Sequence, residues 1–310
     1  MTTETNPRVC AVVVTHNRQE LLLCCLVALC RQDFPPDMII VVDNASTDDT
    51  STAMMDYAKH AGMQVEYVRL EVNTGGAGGF KHGLQQAMNA GAQWIWLMDD
   101  DAEPHPTALA ELMMVATNPA DVYGSVAAHG EDICWSTTLL EPEKHVVNHL
   151  AQIPDRARVQ SLPFLGFLIH CDLVRAIGLP DAGFFIAADD IEYCVRAQRM
   201  GAQIIIAGKS HIEHPKADVR VWQILGKNIS YLSLTPWKRY YDTRNRILIA
   251  RKYYGFRLLT QTIPGSFVRL FVALRFEPQK LAQLGAFCAG LVDGLLGIKG
   301  SRHIWWGIRQ

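Results

Sequence analysis

Trp94-Ile95-Trp96-Leu97-Met98-Asp99-Asp100-Asp101 reads as a short apolar, aromatic-rich strand that ends in three consecutive carboxylates. Ala102-Glu103-Pro104-His105-Pro106 follows, and proline, which has no amide donor, stops the ladder there. Three like charges at the mouth of an apolar strand are costly unless something positive meets them. If extended geometry persists, Asp99 and Asp101 point the same way, so the pair can share one hard divalent cation. The plainer reading is a solvated acidic turn ahead of a helix that begins near Thr107. The flanking sequence decides between them.

Three apolar runs precede this stretch. Val9–Thr15 (VCAVVVT) is a continuous β-branched run, the mark of a strand covered on both faces, and residues 38–42 and 65–70 follow it. Helical stretches fall between them. One covers residues 20–32, a second runs from a cap at Ser46 or Thr47 toward Gly62, and a third runs from the glycine-rich residues 73–81 to about Ala90. This alternation predicts an α/β fold, a mainly parallel sheet with helices on both faces. Ligands gather at the carboxyl ends of strands in such sheets. Four polar clusters fall there: residues 15–18, 43–46, 73–81 and 99–101. Gly75, Gly76, Gly78 and Gly79 match neither phosphate-loop fingerprint; they suit either close backbone approach to a ligand or a tight strand-to-helix turn.

Further strands are expected over residues 122–128, 161–171 and 203–207. Between the last two lies a second acidic cluster, Phe184-Phe185-Ile186-Ala187-Ala188-Asp189-Asp190-Ile191-Glu192-Tyr193. Asp189 or Asp190 would cap a helix with Cys194, Ala197 and Met200 inward and Arg196 and Arg199 outward. Capping explains one aspartate; it does not explain an apolar lead-in ending in two. His211 and His214 follow, a pair that is ordinarily just solvated. Past Pro215 the character changes, with a helix from Tyr240 to Lys252 and then an apolar remainder over residues 263–298. That remainder is read either as helices packed on the first domain or as a surface lying on a membrane. Its longest uncharged run is too short to span, while Trp305, Trp306, Lys299, Arg302 and Arg309 suit a lipid interface. The organisation expected is residues 1–215 as the α/β domain and 216–310 as a C-terminal helical region.

The chain has 310 residues, 49% hydrophobic and 19% charged, enough for a sizeable core and unlike a disordered chain. A net charge of -2, from 29 basic and 31 acidic residues, argues against bulk nucleic-acid binding. Eight cysteines without C-x-x-C spacing predict neither zinc nor a disulfide framework but a reducing cytoplasm, with Cys24, Cys25 and Cys30 as small buried hydrophobes. The polar residues Met1 to Arg8 lead straight into a strand, so no signal peptide is expected. Trp135 and Trp222 are read as core rather than as sugar platforms.

These motifs, in this order across residues 9–215, resemble the inverting family 2 glycosyltransferases of the GT-A fold. The matching pieces are Val12-Val13-Val14-Thr15-His16-Asn17-Arg18, Val42-Asp43-Asn44-Ala45-Ser46-Thr47-Asp48, the glycine loop, Asp99-Asp100-Asp101, Asp189-Asp190-Ile191-Glu192-Tyr193 and a late histidine. Tyr240-Tyr241…Arg244-Asn245 is a weaker match in the C-terminal third. Asn73-Thr74-Gly75-Gly76-Ala77-Gly78-Gly79-Phe80 and the triplet look like the galactofuranosyltransferase branch, with rhamnosyltransferases as close relatives.

The resemblance implies a metal-dependent enzyme moving galactofuranose from UDP-galactofuranose to a glycan acceptor, lipid-linked and part of bacterial surface polysaccharide synthesis. It implies Mn2+ or Mg2+ on Asp99, Asp101 and His214, His214 being preferred to His211 by its distance beyond Asp190. Asp190 would be the general base, and Asp189 would orient it or hold an acceptor hydroxyl. Thr15, Arg18, Asp43, Asn73, Gly75, Gly76 and Asp100 would line the donor site, Asp43 at the pyrimidine edge. A place on the inner face of the cell membrane, as a peripheral protein, goes with that acceptor. Alternatives are a rhamnosyltransferase using dTDP-rhamnose and a non-catalytic sugar-nucleotide binder. A nucleotidyltransferase is disfavoured because Thr15-His16-Asn17-Arg18 lacks the basic, glycine-rich first turn.

Overall fold

The computed structural model describes residues 8–215, 219–224 and 227–309, with side chains undescribed over 219–224 and 227–231. Residues 1–7, on which the leader expectation rests, and the Trp222 side chain lie outside the described part. The chain divides into two compact units, Met1–Pro180 with Tyr193–Lys216, and Asp181–Glu192 with Ala217–Gln310. The expected boundary after residue 215 leaves Asp181–Glu192 with the first unit; by compactness that segment goes with the second.

The first unit opens with β1 (Val9–Thr15), α1 (Gln19–Cys30), β2 (Met38–Asp43), α2 (Thr50–His60), β3 (Gln64–Arg69), α3 (Gly75–Asn89) and β4 (Trp94–Asp99). It continues through β5 (Glu103–Pro104), α4 (Ala108–Val115), β6 (Val122–His129), β7 (Asp132–Leu139), β8 (His145–His149), β9 (Arg156–Arg158), β10 (Phe167–His170) and α5 (Cys171–Ile177). Then come α6 (Asp189–Arg199), whose first turn belongs to the second unit, and β11 (Ile204–Glu213). The main sheet runs β3-β2-β1-β4-β10-β6-β11-β5. β1 pairs in parallel with β2 and β4, as do β2 with β3 and β6 with β11, whereas β10 is antiparallel to both β4 and β6. It is a mixed, mostly parallel sheet.

Alternation along β1 explains the two-sided core. Cys10, Val12 and Val14 face Phe80, Leu84 and Ala87 of α3, while Val9, Ala11 and Val13 face Leu22, Cys25, Leu26 and Leu29 of α1. Glycine lets α3 come close: a Cβ on Gly79 would lie 2.5 Å from Val14, and one on Gly83 2.2 Å from Val12. Of the glycine run only Gly79 is therefore explained by helix–sheet packing. Gly76 meets nothing within 4 Å, and Gly75 has a positive φ of 71°.

Several sequence expectations change. Residues 161–171 are strand only over Phe167–His170. The strand expected to end at residue 207 runs on to Glu213, carrying His211, whose Nε2 bonds Gly208 O at 2.7 Å. Neither Ser46 nor Thr47 caps α2; Asp48 Oδ1 accepts from the Thr50 amide and hydroxyl, while Ser46 Oγ accepts from the Asn17 amide. Cys25 is buried, but Cys24 and Cys30 are exposed, because α1 turns them away from the sheet. Cys194 and Ala197 point inward as expected, whereas Met200 is exposed just past the helix end, and Arg196 folds back onto Ile177 O and Leu179 O.

The second unit holds the hairpin β12 (Val219–Ile224) and β13 (Lys227–Leu232), then α7 (Pro236–Tyr253), α8 (Ile263–Phe276) and α9 (Lys280–Leu296). Gly290 and Gly294 bring α9 against α7; a Cβ on Gly290 would meet Tyr240 O at 2.5 Å. The outward faces stay apolar: Phe267, Val268 and Phe271 on α8, and Leu281, Leu284, Val292 and Leu295 on α9, are all exposed. No described helix is long and apolar enough to cross a membrane.

Candidate active site

At the carboxyl end of β4 the triplet divides its work. Asp100 turns inward, 3% exposed, and accepts from Thr15 Oγ1 at 2.7 Å and Arg18 Nη1 at 3.2 Å. Burial raises its carboxyl above the ordinary value despite those donors. Arg18 also donates to Asp101 Oδ2 at 2.8 Å, so one guanidinium ties two neighbouring carboxylates. The other oxygen of Asp101 lies 3.2 Å from His214 Nε2. Burial works to raise Asp101 and to lower His214. Their close ion pair, with the charge of Arg18 beside Asp101, outweighs it, holding Asp101 low and pushing His214 up to about 10. Trp135 of β7 packs on the His214 ring at 4.9 Å between centroids, and Cys134 Sγ reaches His214 O.

A carboxylate oxygen and an imidazole nitrogen facing each other are suitable ligands for Mn2+ or Mg2+. Neighbouring ligands about 2.1 Å from one cation and at right angles lie roughly 3.0 Å apart, close to the spacing seen between Asp101 and His214. Asp99 ends β4 one residue before the turned-in Asp100 and is not gathered with them as a third ligand. Among the described residues no group of three His, Cys, Asp or Glu side chains forms a metal cage. Magnesium-type sites ordinarily take one or two protein carboxylates and complete their shell with substrate phosphates and water, so the donor set fits.

The neighbouring strand ends hold the other expected donor residues. Asp43, fully buried, accepts from the Ser46 amide at 2.8 Å and the Tyr67 hydroxyl at 2.6 Å, with Arg69 3.6 Å away. Asn44 clamps the glycine turn: its side chain accepts from the Thr74 amide and donates to Gly75 O, at 2.8 and 2.7 Å. Asn73 Oδ1 accepts from the Gly75 amide at 2.8 Å. Asn17 and Ala45 take positive φ (54° and 62°), and Asn17 Oδ1 accepts from the Thr47 amide, joining the loops after β1 and β2. Asn44 and Trp135 stand out only in the folded chain. Asn44 had a signal in the Asp43-Asn44 motif; Trp135, read from the sequence as core, is only partly buried and packs on His214.

In the second unit Asp189 and Asp190 open α6, both half-buried. Desolvation, and for Asp189 the charge of Asp190, push both carboxyls well above the ordinary range. For Asp190 the Ile191 amide, 2.7 Å from Oδ1, and the charge of Arg246 oppose that rise. Arg246 is itself held by Asp242 at 2.7 Å, and the buried Glu192 accepts from Lys252 and Tyr253. The lead-in is strained: Phe185, Ala187 and Ala188 have φ of 65°, 70° and 60°, and none is glycine. Each such residue costs on the order of 1–3 kcal/mol and persists only where its surroundings over-determine it.

A sheet of this order with polar loops at its carboxyl edge, followed by a helical region, is the GT-A nucleotide-sugar transferase fold. The mannosyltransferase of Pyrobaculum calidifontis, solved with GDP-Man and Mn2+, superposes with a TM-score of 0.58 over 95% of this chain and 88% of that one, at 18% identity. Residues 10–165 match the model for glycosyl transferase family 2. The galactofuranosyltransferase GlfT1 of Mycolicibacterium smegmatis is 31% identical over 257 residues, covering 77% of this chain and 81% of that protein. The dTDP-rhamnosyl transferase RfbF of Shigella flexneri is 24% identical over 95% of this chain and 98% of its own length. The chain belongs to glycosyltransferase family 2, is a glycosyltransferase, and is galactofuranosyltransferase-like within that family.

Proposed function

We propose that this enzyme transfers galactofuranose from UDP-galactofuranose to a lipid-linked glycan, inverting the anomeric centre. The alignment with the mycobacterial-type galactofuranosyltransferase, 31% over 77% of the chain, carries the donor assignment. The end-to-end alignment with the dTDP-rhamnosyl transferase favours dTDP-rhamnose as the second reading.

In this reading Asp101 and His214 would hold Mn2+ or Mg2+, which when bound would supply positive charge to offset that of the departing diphosphate. Thr15 and Arg18 fix the directions of Asp100 and Asp101. Asn44 and Asn73 hold the turn at Gly75 and Gly76, whose backbone faces the donor, and Asp43 supports the nucleobase edge. Asp190 takes the acceptor hydroxyl proton while that oxygen attacks the anomeric carbon opposite the departing nucleoside diphosphate. Asp189 orients it. Positioned proton transfer of this kind is worth about 10²–10⁴-fold.

A peripheral position on the inner face of the cell membrane belongs to the same reading, supported by the exposed apolar faces of α8 and α9 and by Trp305, 78% exposed beneath Arg302. The test is a donor screen with Mn2+ present, read by mass spectrometry of the acceptor. A hexose adduct from UDP-galactofuranose alone supports the assignment; a deoxyhexose adduct from dTDP-rhamnose alone replaces it with the second reading.

A further inference from the structure

The strained lead-in to Asp189 and Asp190 is held by two adjacent side chains of α7. Asn245 Nδ2 donates toward Phe184 O, Ile186 O and Ala187 O at 3.0, 2.8 and 2.7 Å. Arg244 Nη2 donates to Gly183 O and Phe184 O at 3.1 and 2.8 Å, and its Nε donates to Asn245 Oδ1 at 2.9 Å. Both side chains are fully buried, and the guanidinium lies 4.7 Å over the Tyr241 ring. A buried guanidinium directed at main-chain carbonyls is an expensive way to support an ordinary loop. Here the carbonyls belong to the segment that enters α6 through three left-handed non-glycine residues, and Ala188 O begins the helix by accepting from the Glu192 amide. The direction in which the first turn of α6 presents its two carboxylates is set by that segment.

We infer that Arg244 and Asn245 are positioning residues for Asp190: they hold Phe185, Ala187 and Ala188 in left-handed conformations and thereby aim the base. This rests on Asp190 being the base. Without the Asn245 amide group the lead-in relaxes toward ordinary φ, the first turn of α6 rotates, and proton transfer suffers. Donor binding, which uses other residues, does not.

The experiment compares Asn245→Ala, Asn245→Asp, and Asn245→Ala combined with Ala187→Gly and Ala188→Gly, in the full chain, with Asp190→Asn as reference. Asn245→Ala and Asn245→Asp are expected to lower kcat about 100-fold, the effect of roughly 1 Å misplacement, with the KM for the nucleotide sugar unchanged. Their acid limb in the pH profile should fall toward that of an ordinary carboxylate as Asp190 becomes more hydrated. The glycine changes, which remove the steric cost of positive φ, should restore at least about 10-fold of the lost kcat. Normal kcat in Asn245→Asp, or a kcat loss with an unmoved acid limb and no recovery in the glycine background, overturns the inference. Should Asn245→Ala fail to fold, Asn245→Asp gives the same readouts. Normal turnover by Asp190→Asn would instead remove the base assignment, an outcome distinct from an inactive Asp190→Asn beside a normal Asn245→Asp.

Discussion

A carboxylate that must take a proton near neutrality has to be less acidic than one in water. Asp190 meets that condition, raised to about 6 by desolvation, with the Ile191 amide and the charge of Arg246 pulling the other way. Because the deprotonated form works, activity should be full above that value and be lost as pH falls through it. An ordinary aspartate would titrate near 4. The pH dependence of kcat/KM checks this, and Arg246→Gln should move the limb upward, since it removes the charge that favours the carboxylate. Asp190→Asn should abolish turnover while calorimetry still detects UDP binding. At the other acidic cluster, His214→Ala and Asp101→Asn should each weaken Mn2+-dependent UDP binding by about 10-fold or more, measured by titration with and without the metal. The two acidic clusters were legible as sequence because like charges at the end of apolar runs need a reason. The split between Asp100, turned in, and Asp101, facing His214, was not legible, since it depends on where Arg18 lands.

At the scale of elements, β1, β2 and β4 could be read directly because strands buried on both faces are unbroken apolar runs. β7, β8 and β9 escaped, since half-exposed antiparallel strands such as Asp132–Leu139 mix Asp, Ser and Thr with their apolar residues. The lead-in to α6 escaped for another reason: Phe185, Ala187 and Ala188 carry no compositional sign of positive φ, which glycine would have announced. The glycine run announced too much, for Gly79 serves packing, as does Gly83 one turn beyond it. The same kind of contact joins α7 and α9, and it yields a prediction. Gly290→Ala puts a methyl group against the Tyr240 carbonyl, where backbone must shift, and should cost about 1–3 kcal/mol in denaturant unfolding. An unchanged midpoint would show that α9 slides without penalty.

At the scale of the whole molecule, a net charge of -2 conceals an uneven distribution. From residue 251 onward nine Lys and Arg stand against only Glu277 and Asp293, and those two are 4% and 1% exposed. The charge displayed by this region is basic, beside apolar helix faces and Trp305, a combination suited to anionic headgroups. The protein should cosediment with vesicles containing anionic phospholipid, less with neutral ones, and release as salt rises. Equal binding to both lipid types would remove the electrostatic part. Cys288 adds a practical consequence. It is an exposed thiol on α9, in a cavity of about 610 Å³ shared with Ala282, Gly285, Val292 and Trp306. With Cys24 and Cys30 changed to serine, a polarity-sensitive fluorophore coupled to that native sulfur becomes a built-in probe. Its emission colour would register whatever greasy chain or bilayer comes to rest there, before any sugar has moved.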